Sequence, residues 1–462
     1  MTERRAAEDD RASRVLARRR RAMEKRGDWE SLWQDCYDYA LPNARPFSGV
    51  APAGGRRGDR IFDGTAPDGV DQLAASLLAQ LTPPWSRWFG FAPGPELTAD
   101  ERDRVAPMLE RAAEIAQGHF DRANFAVEIH QAFLDLATVG TACLLMEEAP
   151  PGAASAFRFA AIPLADVALE EGPEGRLDTA FRRVDLSLAD IRERFPAARL
   201  PARLTNKVKD EPDARFAVVE AVLPTEAGYE WITVLADDDD APAVLAAARV
   251  PRSPYIGFRW LKAPGEVYGR SPVMKALPDI KTANKVVELV LKNASIAVTG
   301  IWQADDDGVL NPAGVRLTPG TIIPKAVGSA GLTPLATPGR FDVSQLVLDD
   351  LRARIRHALL ADKLAPVADA RMTATEVLER SGEAARLLGA TYGRLQNELL
   401  TPLIERAADI LRRRGEIPDI AIDNRMVTVQ HRSPLALAQG QRDVQAMLRW
   451  LEAARGLGPE AL

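Results

Sequence analysis

The sequence predicts an α+β fold, and two observations carry the prediction. Apolar residues recur at three- and four-residue steps, the period of helices buried on one face, through much of residues 11–139 and again through 269–454. Between them, residues 157–260 hold short β-type runs separated by turns. The chain has 462 residues, 46% of them hydrophobic and 27% charged, a composition of folded protein long enough for two or three domains.

In chain order, Arg11 to Arg26 is rich in arginine, with Val15, Leu16 and Ala22 between the charges, and reads as an exposed helix. Its cluster Arg18 to Arg21 is better explained as a solvated face than as a nucleic-acid contact. Trp29, Leu32, Trp33, Cys36, Tyr37 and Ala40 then form an amphipathic helix ended by Leu41-Pro42, its aromatic stripe in the core. A loop rich in Gly, Arg and Pro spans Asn43 to Arg60. Asp63 or Thr65 caps a helix carrying Val70, Leu73, Ala74, Leu77, Leu78 and Leu81, which stops at Thr82-Pro83-Pro84 before Trp85, Trp88 and Phe89. Helices near 98–118 and 119–139 lead to a buried strand from Val139 to Met146. Further strands are expected at Phe157 to Ile162, Phe216 to Leu223, Trp231 to Leu235 and Tyr255 to Trp260, with one helix near 187–195.

After Pro278, the residues Ile280, Ala283, Val286, Val287, Val290, Leu291 and Ala294 make one apolar stripe, while Lys281, Lys285, Glu288 and Lys292 lie on another face. From Val298 to Asp342 the chain turns to Gly, Pro and short β runs such as Ile301-Trp302. A helix from Val343 to Leu360 follows, with Leu346, Val347, Asp350, Leu351, Arg354, Ile355 and Ala358 at helical spacing, and then a break from Ala361 to Arg371. Thr373-Ala374-Thr375-Glu376 is a capping box that starts a helix reaching about Arg414. Gly382, Gly389, Gly393 and Pro402 predict that this helix bends. A strand at Val427 to Gln430 and a helix at Ala436 to Ala454 complete the order.

Charge and motifs narrow the function classes. With 59 Lys and Arg against 65 Asp and Glu, the formal charge is −6. That argues against a protein that reads base sequence through a broad basic face. No apolar stretch approaches the ~20 residues of a membrane-spanning helix, and the basic, polar N-terminus has no apolar run or cleavage site, so neither membrane insertion nor export is expected. Cys36 and Cys143 lack metal spacing and are expected to be reduced and buried, and His119, His130, His357 and His431 are scattered, so no metal or cofactor is expected. The runs Asp237 to Asp240 and Asp305-Asp306-Asp307-Gly308 read as acidic turns, because calcium loops alternate their ligands and close with a glutamate. A phosphate-binding Gly-x-x-x-x-Gly-Lys-Ser/Thr loop is absent, as is a Gly-x-Ser-x-Gly elbow, so catalysis is not expected.

The run opened by Gly269-Arg270-Ser271-Pro272, the run Arg371 to Arg380, and the stretch Phe62 to Phe89 resemble the podovirus-type head-to-tail connector, or portal, family of tailed bacteriophages. The signatures stand in the family's order over roughly residues 29–414. The resemblance implies a portal fold: an α/β wing (1–268), a stem helix (269–297), a small β-rich clip (298–342), a second stem helix (343–360), a tunnel loop (361–372), a kinked long helix (373–414) and a helical crown region (415–462) that is short for the family. It further implies a dodecameric ring at one capsid vertex, assembled in the host cytoplasm and retained in the virion, which passes double-stranded DNA inward and outward. The implied partners are the terminase large subunit, which would supply the motor, a tail adaptor, and the major capsid and scaffold proteins. Lys281, Lys285, Lys292, Lys363 and Arg371 are then candidates for non-specific contact with DNA in the channel. Trp302, Asp305, Asp306 and Asp307 are candidates for the clip and its tail interface. Another phage ring, such as a head–tail adaptor, fits the length and element order less well, and an unrelated α+β enzyme would need a site that the sequence does not display.

Overall fold

A computed structural model describes residues 2–47, 54–55, 57–84, 86–236, 242–299, 302–303, 333–334, 341–361, 388–419, 422 and 425–437, with the backbone alone at 2–9, 296–299, 302–303, 333–334 and 341–344. Its helices are α1 (Thr2–Ala40), α2 (Thr65–Leu81), α3 (Ala99–Arg122), α4 (Phe125–Val139), α5 (Leu188–Arg194), α6 (Ala202–Asp210), α7 (Pro272–Thr299), α8 (Phe341–Ala358), α9 (Gly389–Leu395) and α10 (Thr401–Arg413). A π-helical turn, Gln396–Leu400, joins the last two. The strands are β1 (Phe89–Pro93), β2 (Thr141–Glu148), β3 (Phe157–Ile162), β4 (Val167–Glu171), β5 (Leu177–Ser187), β6 (Arg215–Thr225), β7 (Gly228–Leu235), β8 (Ala243–Val250), β9 (Tyr255–Arg259), β10 (Trp302–Gln303), β11 (Thr333–Pro334) and β12 (Val427–His431).

The fold is α+β. Strands β4 to β8 form an antiparallel meander in sequence order, β2 lies between β3 and β9 in a second antiparallel sheet, and β1 pairs with β12. The main core runs from the aromatic stripe of α1 through α2, α4 and β2 to α10. Trp33 stacks near Trp29 and meets Tyr268 edge-on at 4.9 Å, and Trp88, Phe89 and Phe120 pack together under β1. The cap of α2 is Gly64, which carries no side-chain cap bond, rather than Asp63 or Thr65; Asp63, one residue earlier, accepts from Thr65 N through its Oδ1 at 3.0 Å.

Several expectations are corrected. Residues Thr2–Ala40 form one helix rather than two, because Gly27 costs a helix only about 1 kcal/mol and packing outweighs it. Nor is Arg11 to Arg26 exposed all round: Ala12, Val15 and Ala22 are buried against Phe181, Ala221, Ile232 and Val234 of the five-stranded sheet. The signal was weak because alanine and arginine supply the contacts. Arg26 is 3% exposed and donates to the carbonyls of Leu164, Ala165 and Val167 at 2.9–3.1 Å, and Arg18 reaches Glu170 at 2.7 Å. Strands β4, β5 and β8 were not singled out among the β-type runs expected over 157–260, and helix α6 was not expected. In β5 the charges Asp178, Arg182, Arg183 and Asp185 interrupt the apolar run, and the alanine-rich β8 carries no strand signal.

Candidate nucleic-acid interface on the α7–α8 hairpin

Helix α7 begins where Gly269-Arg270-Ser271-Pro272 leads the chain out of the core. The Ser271 hydroxyl accepts from Met274 N at 2.9 Å, satisfying one of the free donors of the first turn, and donates to Thr138 O at 2.7 Å. Pro272 follows as the first helical residue, where a missing N–H costs nothing. Gly269 N donates to Thr141 Oγ1 at 2.8 Å, and a Cβ on Gly269 would lie 2.1 Å from Gly140 O. Gly140 itself has φ +76°, at the left-handed end of α4. Two glycines thus let the α4–β2 junction and the α7 start cross in direct backbone contact, which roots the hairpin in the core.

Side chains extend that root along both helices. Asn284 is buried on α7; its Oδ1 accepts from Phe62 N at 2.6 Å and Asp63 N at 3.1 Å, and its Nδ2 donates to Arg60 O at 3.0 Å. Arg352 of α8 donates to Asp63 at 2.8 Å. Burial works to raise the Asp63 pKa, yet hydrogen bonds from Thr65 and Arg352 outweigh it and hold the carboxyl below the usual range. Arg354 of α8 meets Asp279 of α7 at 2.9 Å, so the end of α8 lies beside the start of α7 and the two helices run antiparallel.

The lysines expected on this surface are in unequal positions. Lys281 is half-buried at the base, 2.7 Å from Asp35 of α1 and 5.5 Å from the Tyr39 ring, so it ties α7 to α1. Lys285 and Lys292 are well exposed and flank Glu288 at 3.0 Å and 2.5 Å. Hydrogen bonds from Lys292 and Lys285 keep the Glu288 carboxyl below the ordinary carboxylate range. Two lysines sharing one glutamate leave that face with a net charge of +1. Lys363, Arg371, Asp305, Asp306 and Asp307 lie outside the described residues, as do the side chain of Trp302, the capping box at Thr373 to Glu376, Trp85, the acidic run Asp237 to Asp240 and most of the expected helix at Ala436 to Ala454.

The apolar stripe of α7 divides along its length. Ile280 and Ala283 are buried, Val286, Val287, Val290 and Ala294 are half-buried, and Leu291 is 52% exposed together with Leu289 at 48%. On α8 the expected stripe is shifted: the buried set is Leu348, Leu351, Ile355 and Leu359, whereas Leu346 and Val347 stand 75% and 46% exposed. Both residue sets satisfy a helical period, and spacing alone does not choose between them.

The residues that sequence reasoning missed are buried charges. Arg259, fully buried, binds Glu398, Glu171 and the carbonyls of Val267 and Gly175. No local pattern marks such a pairing, because its partners come from distant parts of the chain. Chemistry of other kinds is not prominent. Both cysteines are buried, and burial pushes their thiols up to about 12. Among the described residues no three His, Cys, Asp or Glu side chains gather as a metal site, and no helix is long and apolar enough to cross a membrane.

Comparison with known proteins identifies the relatives. The portal protein of Enterobacteria phage T3 is 23% identical, with 95% of this chain and 81% of that protein covered. A probable portal protein of Bordetella phage BPP-1 is 26% identical over 99% of this chain and 85% of that protein. A chain from the neck of an empty gene transfer agent particle is similar over 87% of this chain and 91% of its own length, at 13% identity and a TM-score of 0.38. The family described as bacteriophage head to tail connecting protein matches residues 12–462, and the chain belongs to that family.

Proposed function

We propose that this chain is a portal subunit, copies of which close into a ring at one vertex of a phage capsid and form the channel for DNA packaging and ejection. Beyond family membership, the observation that supports this reading is the α7–α8 hairpin. Its base is fixed to the core by crossed glycine backbones and buried polar bonds, while Leu289, Leu291, Leu346 and Val347 remain in water. Single exposed leucines are ordinary, but four on one two-helix arm suit packing against the same arm of a neighbour. Contacts of that head-to-tail kind generate a closed ring when the rotation closes.

On this reading α7 and α8 are the stem, the body to residue 268 is the wing, 298–342 is the clip, 361–372 is the tunnel loop and 415–462 is the crown region. DNA is met through its phosphates and without base readout. A charge of +1 per subunit on the Lys285–Glu288–Lys292 face suits sliding, since each neutralised phosphate adds counterion release and therefore grip. The ring docks the terminase large subunit, whose ATPase drives the DNA, and later the tail adaptor; major capsid and scaffold proteins surround it in the virion. Its work is mechanical, and the reading assigns this chain no catalysis.

Sedimentation velocity tests the stem contact. The wild-type chain is expected to sediment as a species of about twelve copies, and Leu289→Ser/Leu291→Ser/Leu346→Ser as a single folded chain. A wild type that stays monomeric even with scaffold and capsid proteins present contradicts the proposal.

A further inference from the structure

The long helix near the chain's end is not uniformly wound. Between α9 and α10, residues Gln396–Leu400 form a π-helical turn in which Thr401 N donates to Gln396 O, five residues back. Such a turn amounts to one residue inserted into an α-helix. Pro402, just beyond the turn, disfavours regular winding here: its ring would strike the carbonyl of residue 398 and it has no N–H to give that carbonyl. The α register therefore leaves the 398 carbonyl without a donor, and the π register has poorer bond geometry. The backbone alone has little preference between them.

Side chains supply the preference. Glu398, in the middle of the wide turn, is 6% exposed and every lone-pair direction is used. Its Oε2 accepts from Arg259 N at 3.0 Å and Arg259 Nε at 3.2 Å, and its Oε1 from Arg259 Nη2 at 2.7 Å and Arg394 Nη1 at 3.1 Å. Arg259 in turn reaches Glu171, Val267 O and Gly175 O, so it links the turn to the β4–β5 hairpin and to the loop before α7. Beside the turn lies a cavity of about 60 Å³, lined by Glu398, Pro402, Glu405, Arg252, Tyr255 and Gly257.

We propose that the π-helical turn is a register switch, held in its present state by the Arg259–Glu398 clamp. In the other state the turn winds as α-helix and α9 rotates by about 100° and advances about 1.5 Å relative to α10, one residue's worth of helix. That motion withdraws Glu398 from Arg259 and alters the burial of Thr391, Tyr392 and Leu395. The inference concerns residues 389–413 and does not depend on ring formation.

Amide hydrogen exchange of the full chain tests it. Glu398→Gln removes the charge that holds the clamp, and exchange over 389–400 is expected to rise about tenfold while β2 and α4 keep their protection. Arg259→Lys, which keeps a buried cation but loses the fork, gives the same readout if the first variant folds poorly. Adding Pro402→Ala to Glu398→Gln restores the missing bond of the α register and is expected to return 389–400 to slow exchange. Unchanged exchange in the clamp variants overturns the proposal. So does a rise shared by β2 and α4, or a double variant that exchanges as fast as the single one.

Discussion

At Gly269 a methyl group would stand 2.1 Å from the Gly140 carbonyl oxygen, so Gly269→Ala has to displace either the start of α7 or the start of β2. A loss of about 2–4 kcal/mol is expected in urea unfolding, in the range of strained backbone and overpacked core sites. Gly393→Ala is the contrast: nothing lies within 4 Å of its added Cβ, and removing a helical glycine is expected to stabilise by up to about 1 kcal/mol. Asp135 tests electrostatics at the same scale. Burial pushes its pKa up to about 7, against a hydrogen bond from Tyr37 at 2.9 Å that lowers it. A carboxyl raised in the folded state contributes its full stability below about pH 4 and loses it as pH rises through about 7. Asp135→Asn should therefore match wild type at pH 4 and exceed it at pH 8 by on the order of 2–4 kcal/mol; equal thermal midpoints of variant and wild type at both pH values would contradict the assignment. The start of α7 was legible at Gly-Arg-Ser-Pro, but neither the Ser271 cap nor Gly140, its crossing partner, was. A backbone crossing leaves no periodic trace.

The elements divide by whether one short window holds their signal. Helix α2, the strand β2 and the strands at 157–162 and 427–431 carry their own stop residues and apolar runs, and stand where expected. Helix α8 stands where expected and Leu351 and Ile355 face inward as expected, but Leu348 and Leu359 complete the buried set in place of Leu346 and Val347. Where Gly389, Gly393 and Pro402 led to the expectation of a bend, the described residues show a π-helical turn at Gln396–Leu400, with Glu398 held by Arg259. On α7, Lys285→Glu with Lys292→Glu changes the charge of that face from +1 to −3 around Glu288. Rings should still form, because both side chains point to solvent, while DNA packaged or retained per particle should fall. Unchanged packaging would remove these lysines from the channel.

The whole molecule is legible through order more than through any one segment. A helix with a Thr-Pro-Pro stop, a buried strand, a β body and two long helices follow one another in the sequence in the order that the resemblance implies, and the family's model matches residues 12–462. On the proposed reading, Leu289, Leu291, Leu346 and Val347, exposed in the single chain, pack against a neighbouring copy. Electron microscopy of the purified chain, with class averages of end views, tests that account most directly. Closed rings of about twelve-fold symmetry around a central channel are the predicted result. A uniform population of monomers or dimers, persisting across salt and in the presence of scaffold protein, would contradict it.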